Sequence, residues 1–167
     1  MNISEFAGEK GLQQRIETAL NLQCFEFSLL DKISSLPIKK SHAVRRLGSY
    51  VARRGEPVEI RLQFALEEHL LIETFLHELA HCLDHLTNQT GQPYRRAHGK
   101  GWQEWAVALG IVPSRCGKSA ALNEIHEKRL KIVAVCKKCG FELKRLKRLA
   151  RNRKYIHPEC GGRLKLV

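Results

Sequence analysis

The feature that most constrains this chain is a long amphipathic segment with reactive side chains on its polar side. From about Glu67 to Leu86, the residues Leu71, Phe75, Leu79, Cys82, Leu83 and Leu86 recur at helical spacing and predict one helix with an apolar stripe. At about 100° per residue, His77 and His81 fall on roughly the opposite side. They belong to His77-Glu78-Leu79-Ala80-His81, an H-E-x-x-H pattern. Imidazoles at i and i+4 leave one helical face about 6 Å apart, close enough to share a zinc ion. The carboxylate of Glu78 stands one step round the helix, where it can take a proton from water activated by that ion.

A hydrolytic zinc needs a third protein ligand and an open fourth position. His98 is the best placed. It follows the polar loop Thr87–Tyr94 and precedes Gly99, so a next helix over about Lys100 to Leu109 can return beside the first. Gly110, with Pro113 beyond, stops that helix. His85 lies eight residues from His77, about 12 Å of helical rise. It cannot reach the same ion unless the helix breaks, and Cys82, Leu83 and Asp84 provide no break. Glu104 is a carboxylate alternative in no special context. The competing interpretation is that His77 and His81 merely line a solvated helix face.

The rest of the first two thirds predicts a helix and a hairpin. Leu12, Ile16, Ala19, Leu20 and Gln23 share a face, which Phe25, Leu29 and Leu30 extend to about Asp31 before Ser34-Ser35-Leu36-Pro37 breaks it. Leu47 to Arg53 reads as one strand, Gly55-Glu56-Pro57 as a turn, and Val58 to Leu62 alternates with the period of a half-buried second strand. Residues 114–130 read as a connector. No apolar run exceeds the eight residues Trp105 to Val112, short of the roughly 20 a membrane helix needs. The N-terminus has two acids and no apolar run, unlike a secretory leader. The expectation is a soluble cytoplasmic protein with no membrane partner, in which the six Cys serve as thiols or metal ligands. Cys24 and Cys82 have no partner at ligand spacing and read as small core residues.

Charge sets the C-terminus apart. Residues 128–167 hold 14 of the 29 Lys and Arg but only two of the 17 acids, Glu142 and Glu159, so this stretch carries the entire net charge of +12. It also carries Cys136-Lys137-Lys138-Cys139-Gly140 and His157-Pro158-Glu159-Cys160-Gly161, two knuckles 17 residues apart. Cys136, Cys139, His157 and Cys160 fit a Cys3His structural zinc site, and a segment this short needs the ion to fold. Between the knuckles Lys144, Arg145, Lys147, Arg148, Arg151, Arg153 and Lys154 form a basic stripe suited to phosphates. Phe141 and Tyr155 flank it and either fill the ribbon's small core or stack on unpaired bases.

Taken together, HELAH, a loop, His98-Gly99-Lys100-Gly101-Trp102, Ala108-Leu109-Gly110 and Cys116, with Gly48 to Leu62 upstream, resemble the SprT-like metallopeptidases. The eukaryotic members of that family are the Spartan DNA–protein crosslink proteases. The likeness covers about residues 40–120. It implies an α+β fold: a small zincin-like metallopeptidase domain over 1–126, with a short sheet, and a zinc ribbon over 127–167. It implies two zincs per chain: a catalytic ion on His77, His81 and His98 with Glu78 as catalytic acid–base, and a structural ion on Cys136, Cys139, His157 and Cys160. Family members with this tail usually have Cys where His157 stands. The likeness further implies DNA as a partner, single-stranded or junction-containing, protein substrates on that DNA, and nucleoid association if the source is bacterial. Tyr50, Tyr94 and His85 are candidates to bind the oxyanion. Two other functions compete: a non-proteolytic zinc-ribbon nucleic-acid-binding or transcription-associated factor with a latent H-E-x-x-H site, and a general peptidase whose charge only aids solubility.

Overall fold

The computed structural model describes residues 1–23, 27–89, 91–114, 117 and 119–167, and leaves out the side chain of Phe27. Cys24, Phe25 and Cys116, singled out above, lie outside the described residues. The chain forms two compact units, Met1–Leu122 and Asn123–Val167.

The first unit opens with three short helices: α1 (Ile3–Glu9), α2 (Gln13–Leu22) and α3 (Phe27–Ser34). The sequence predicts one helix from Leu12 to about Asp31. The chain instead closes α2 at Leu22, where the Gln23 amide donates to Ala19 O, and begins α3 at Phe27. Helix α1 is set by a capping box: Asn2 Oδ1 accepts from the Glu5 amide while Glu5 Oε2 accepts from the Asn2 amide. Its Ile3, Phe6 and Ala7 are buried.

A three-stranded sheet follows, in the order β1 (Ile38–Lys40), β3 (Glu56–Leu62), β2 (Gly48–Arg53). The expected hairpin is present as β2 and β3, antiparallel, with Tyr50 opposite Ile60. Its turn is Arg54–Gly55, both at positive φ (53° and 84°), and not Gly55–Pro57. This is the two-residue turn that matches strand twist. Pro57 lies inside β3, tolerated because β1 pairs only with Ile60 to Leu62 and the register shifts at Val51/Ala52 beside it. Ile60 and Leu62 are buried in the core and Arg61 is exposed, while Glu59 is buried too, beneath its ion pairs with Lys39 and Arg61.

Helix α4 (Glu68–Asn88) packs on β2 and β3 with one side and on α5 (Lys100–Ala108) with another. From Thr74 to His85 it is buried nearly all round, so the side carrying His81 is not a solvated face. The core gathers Phe6, Phe75, Leu76, Leu79, Leu83, Trp102 and Leu109, with Phe6 and Phe75 rings 4.6 Å apart. Arg15 of α2 fixes the end of α5, donating from Nε to Leu109 O (2.6 Å) and from Nη2 to Gly110 O (2.8 Å). Residues Ala120–Arg129 form a helix, α6, where the sequence suggested only a connector. Ser119 caps it while bonded to Glu67 at the start of α4.

The second unit holds a second sheet, β5 (Glu142–Arg145), β4 (Lys131–Cys136), β6 (Leu164–Leu166), antiparallel throughout. Its core is small: Val133, Ala134, Cys136, Leu149 and Leu164, with Leu143, Tyr155 and Leu166 packed against them. Among the described residues, no helix is long and apolar enough to cross a membrane.

Candidate metal centres and active site

Helix α4 presents His77 and His81 one turn apart, and the loop after it returns His98 to the same point. His77 Nε2 lies 3.1 Å from His98 Nε2 and 3.3 Å from His81 Nε2. The ligand atoms of all three lie within 4.8 Å of one another. A tetrahedral zinc with Zn–N bonds of about 2.0–2.1 Å separates its ligand nitrogens by about 3.3 Å, so the triad fits that ion. Burial, and then the neighbouring imidazole of His98, lower His77 to about 4. Burial, with His77 and His98 beside it, lowers His81 to about 3. Both rings are therefore neutral near pH 7, the form that can donate a lone pair to a metal.

The local backbone is built for this convergence. His98 takes the left-handed conformation (φ 66°), uncommon for a residue with a side chain. It is held between the Arg96–Gly99 turn and the first turn of α5. Trp102 is only 1% exposed and forms the floor: its ring lies 4.5 to 5.3 Å from all three imidazoles, and its Nε1 donates to His77 O. A methyl group on Gly101 would fall 2.5 Å from Asn88 Nδ2 and closer still to Asp84 Oδ1, so a glycine there lets α5 approach α4.

Glu78 is 8% exposed, and its Oε2 accepts the Tyr50 backbone N–H at 2.7 Å. Burial raises its pKa to about 7, with the Tyr50 amide pulling the other way. Gly48 lets β2 lie this close, since a Cβ there would meet Thr74 Cγ2 at 2.6 Å and Glu78 Cγ at 3.0 Å. A cleft of about 390 Å³ opens beside His77 and Glu78, lined also by Leu70, Thr74, Arg45 and Ile111.

The other side chains weighed for this site are engaged elsewhere. His85 is fully buried, with Nε2 2.9 Å from Gln92 O and Nδ1 2.7 Å from the Tyr50 hydroxyl. The Tyr94 hydroxyl lies between Asp84 Oδ2 (2.8 Å) and His81 Nδ1 (2.9 Å). Glu104 is exposed and faces Lys100 at 3.7 Å. Cys82 is buried in the core, its thiol pushed up to about 12 by burial. Asp84 and Asn88 were not singled out as site residues by the sequence, and Gly101 entered only within the motif that carries the family likeness. Asp84 offered one signal, a carboxylate three residues after His81 on the same helix.

In the second unit Cys136, Cys139, His157 and Cys160 bring their ligand atoms within 4.8 Å of one another. Cys139 Sγ and Cys160 Sγ stand 3.3 and 3.2 Å from His157 Nδ1, and Cys136 Sγ is 3.5 Å from Cys160 Sγ. Three thiols and one imidazole nitrogen make a donor set suited to zinc. Gly140 and Gly161 follow the knuckles at positive φ (73° and 66°), the reversal each turn requires. Tyr155 packs into the ribbon core, its hydroxyl accepting from the Ala150 amide. Phe141 is 42% exposed and stacks on the His157 ring at 4.2 Å. Lys144, Arg145, Lys147, Arg148, Arg151, Arg153 and Lys154 are all exposed.

Residues 14–124 match the SprT-like family, and since that stretch is about two thirds of the sequence, the chain belongs to it. No curated protein and no solved structure matches the chain.

Proposed function

We propose that this member of the SprT-like family is a zinc-dependent endopeptidase, directed to DNA-bound or DNA-crosslinked proteins by its basic zinc ribbon. The observation that carries the reading is the meeting of three imidazole Nε2 atoms beside a buried carboxylate at the wall of an open cleft. His77, His81 and His98 would hold the catalytic ion. Zinc supplies Lewis acidity there, polarising the scissile carbonyl and activating a water as nucleophile. Glu78 Oε2 is anchored by the Tyr50 amide, which leaves Oε1 to take the proton of the attacking water and return it to the leaving amine. Burial makes this carboxylate a stronger base than usual, while a cation in the triad favours its ionised form. Strand β2 is an outer strand of its sheet, and an extended peptide can pair with such an edge. Recognition through main-chain groups suits substrates of varied sequence.

Cys136, Cys139, His157 and Cys160 would hold the second, structural ion, giving two zincs per chain. The seven exposed cations from Lys144 to Lys154 offer phosphate contacts, and Phe141 offers an aromatic face for an unpaired base. These features favour single-stranded or junction DNA as partner.

The test uses the full chain on a protein crosslinked to DNA, with and without free single strands, beside Glu78→Gln. Cleavage that needs both DNA and Glu78 is expected, with the variant slower by about 10²–10⁴-fold. DNA binding without cleavage under any condition would instead assign a non-proteolytic ribbon factor, and cleavage indifferent to DNA a general peptidase. Binding should weaken steeply with salt, by about 0.7 in log–log slope per phosphate contacted on a single strand.

A further inference from the structure

The Tyr94 hydroxyl has one proton and two neighbours. Asp84 Oδ2 lies 2.8 Å away and His81 Nδ1 2.9 Å away. Asp84 is 4% exposed, and its other oxygen already accepts from Asn88 Nδ2 at 2.9 Å. A carboxylate can only accept, so the phenol must donate to Asp84. His81 Nδ1 then faces an oxygen whose proton is committed, and the bond forms only if Nδ1 carries the hydrogen. The His81 lone pair is thereby placed on Nε2, the atom 3.3 Å from His77 Nε2.

We infer that Asp84 and Tyr94 are positioning residues of the metal centre: the Asp84–Tyr94–His81 chain fixes the tautomer and ring orientation of His81. The inference rests on the proposed zinc site and adds to it a support that reaches the ligand through a phenol. Orienting partners of this kind set the tautomer and basicity of ligating histidines generally.

The surroundings hold the chain in place from both ends. His85 Nε2 donates to Gln92 O, two residues before Tyr94, and its Nδ1 is then the acceptor for the Tyr50 hydroxyl. That bond anchors the start of the loop that delivers the phenol. On the other side Trp102 stacks on the His81 ring at an interplanar angle of 27°, which limits rotation about its bond to Cβ. With its proton held by Asp84, the Tyr94 hydroxyl is not free to donate to an oxyanion, and the same holds for Tyr50 against His85.

Two measurements test this. Nitrogen-15 NMR of the metal-free wild-type chain reads the His81 tautomer directly and should find the proton on Nδ1. A proton on Nε2 overturns the inference, with no variant needed. Zinc titration against a chromophoric chelator then compares wild type with Tyr94→Phe and Asp84→Ala, using the ribbon's ion as internal reference. The triad's affinity should fall about 10–100-fold in both variants while the ribbon's stays unchanged. Wild-type affinity at the triad in Tyr94→Phe overturns the relay and leaves the peptidase reading standing. A wild-type chain that takes up only the ribbon's ion overturns both. Should either variant fail to fold, the wild-type tautomer decides.

Discussion

Replacing Gly101 with alanine puts a methyl group where two helices have no room for one. The added carbon lies 2.5 Å from Asn88 Nδ2 and closer still to Asp84 Oδ1. Ordinary contact for such atoms is about 3.5 Å, so α5 or the Asp84–Asn88 pair must retreat by about 1 Å. Overpacking of this kind costs about 1–3 kcal/mol. Alanine's better helix propensity returns up to about 1 kcal/mol, and less here because Gly101 lies in the first turn of α5. The net is a loss of about 1–2 kcal/mol. For a unit the size of Met1–Leu122 that lowers the melting temperature by about 4–8 °C. The larger effect falls on the site. Helix α5 begins two residues after His98 and carries Trp102, so a 1 Å displacement moves one ligand and the floor beneath all three. Misplacement on that scale can cost about 10²-fold in catalysis. Melting of the metal-free chain and zinc affinity of the triad, measured on the same sample, check the two parts. A Gly101→Ala chain with wild-type melting and wild-type zinc affinity would refute the close-approach argument.

Two further outcomes follow from other parts of the chain. Glu59 is 2% exposed and pairs with Lys39 (2.6 Å) and Arg61, and its pKa is lowered mainly by the bond to Lys39, against the cost of burial. Its contribution is therefore present above the unfolded carboxylate value of about 4.3 and is lost as pH falls through the lower folded value. Melting of wild type should drop more steeply than that of Glu59→Gln below about pH 4.3, and parallel curves would show that the pairing does not contribute. Removing zinc with a chelator should abolish amide protection in β4, β5 and β6 while α4 stays protected, as read by hydrogen exchange. Protection of the ribbon unchanged by chelation would show that its apolar core suffices.

What could be read from the sequence is what periodicity reports. Helix α4 is long enough for its apolar stripe to stand out, and the alternation of Val58 to Leu62 marks β3. The same logic is silent about the other side of α4. Periodicity counts apolar residues and does not report that His81, Asp84 and His85 are buried polar groups satisfied by partners from loops and from β2. Strand β1 has three residues, too few to show alternation. Helix α6 buries little beyond Leu122 and so has no stripe to find. Helix α1 was not predicted either: seven residues are too few for a stripe, although Asn2 and Glu5 have capping-box spacing, followed by Phe6 and Ala7. The left-handed backbone at His98 leaves no mark in composition or period, and only the neighbouring Gly99 and Gly101 hint at an unusual approach.

The two ligand sets ask different things of a metal. Around the triad every support is made by protein: Trp102 beneath the rings, the phenol behind His81, the turn that bends His98 inward, and the Tyr50 amide on Glu78. A site whose shape is held by its own packing can release and rebind its ion while the fold persists, and it can leave one coordination position to a substrate. In the ribbon two of the ligands, Cys136 and Cys160, are themselves part of or packed against a core of five buried residues. There an ion held by all four donors would be part of the folding free energy. The proposed chemistry therefore fits the first site and not the second. On the proposed reading the second would hold a strongly basic surface in shape for the nucleic acid it contacts.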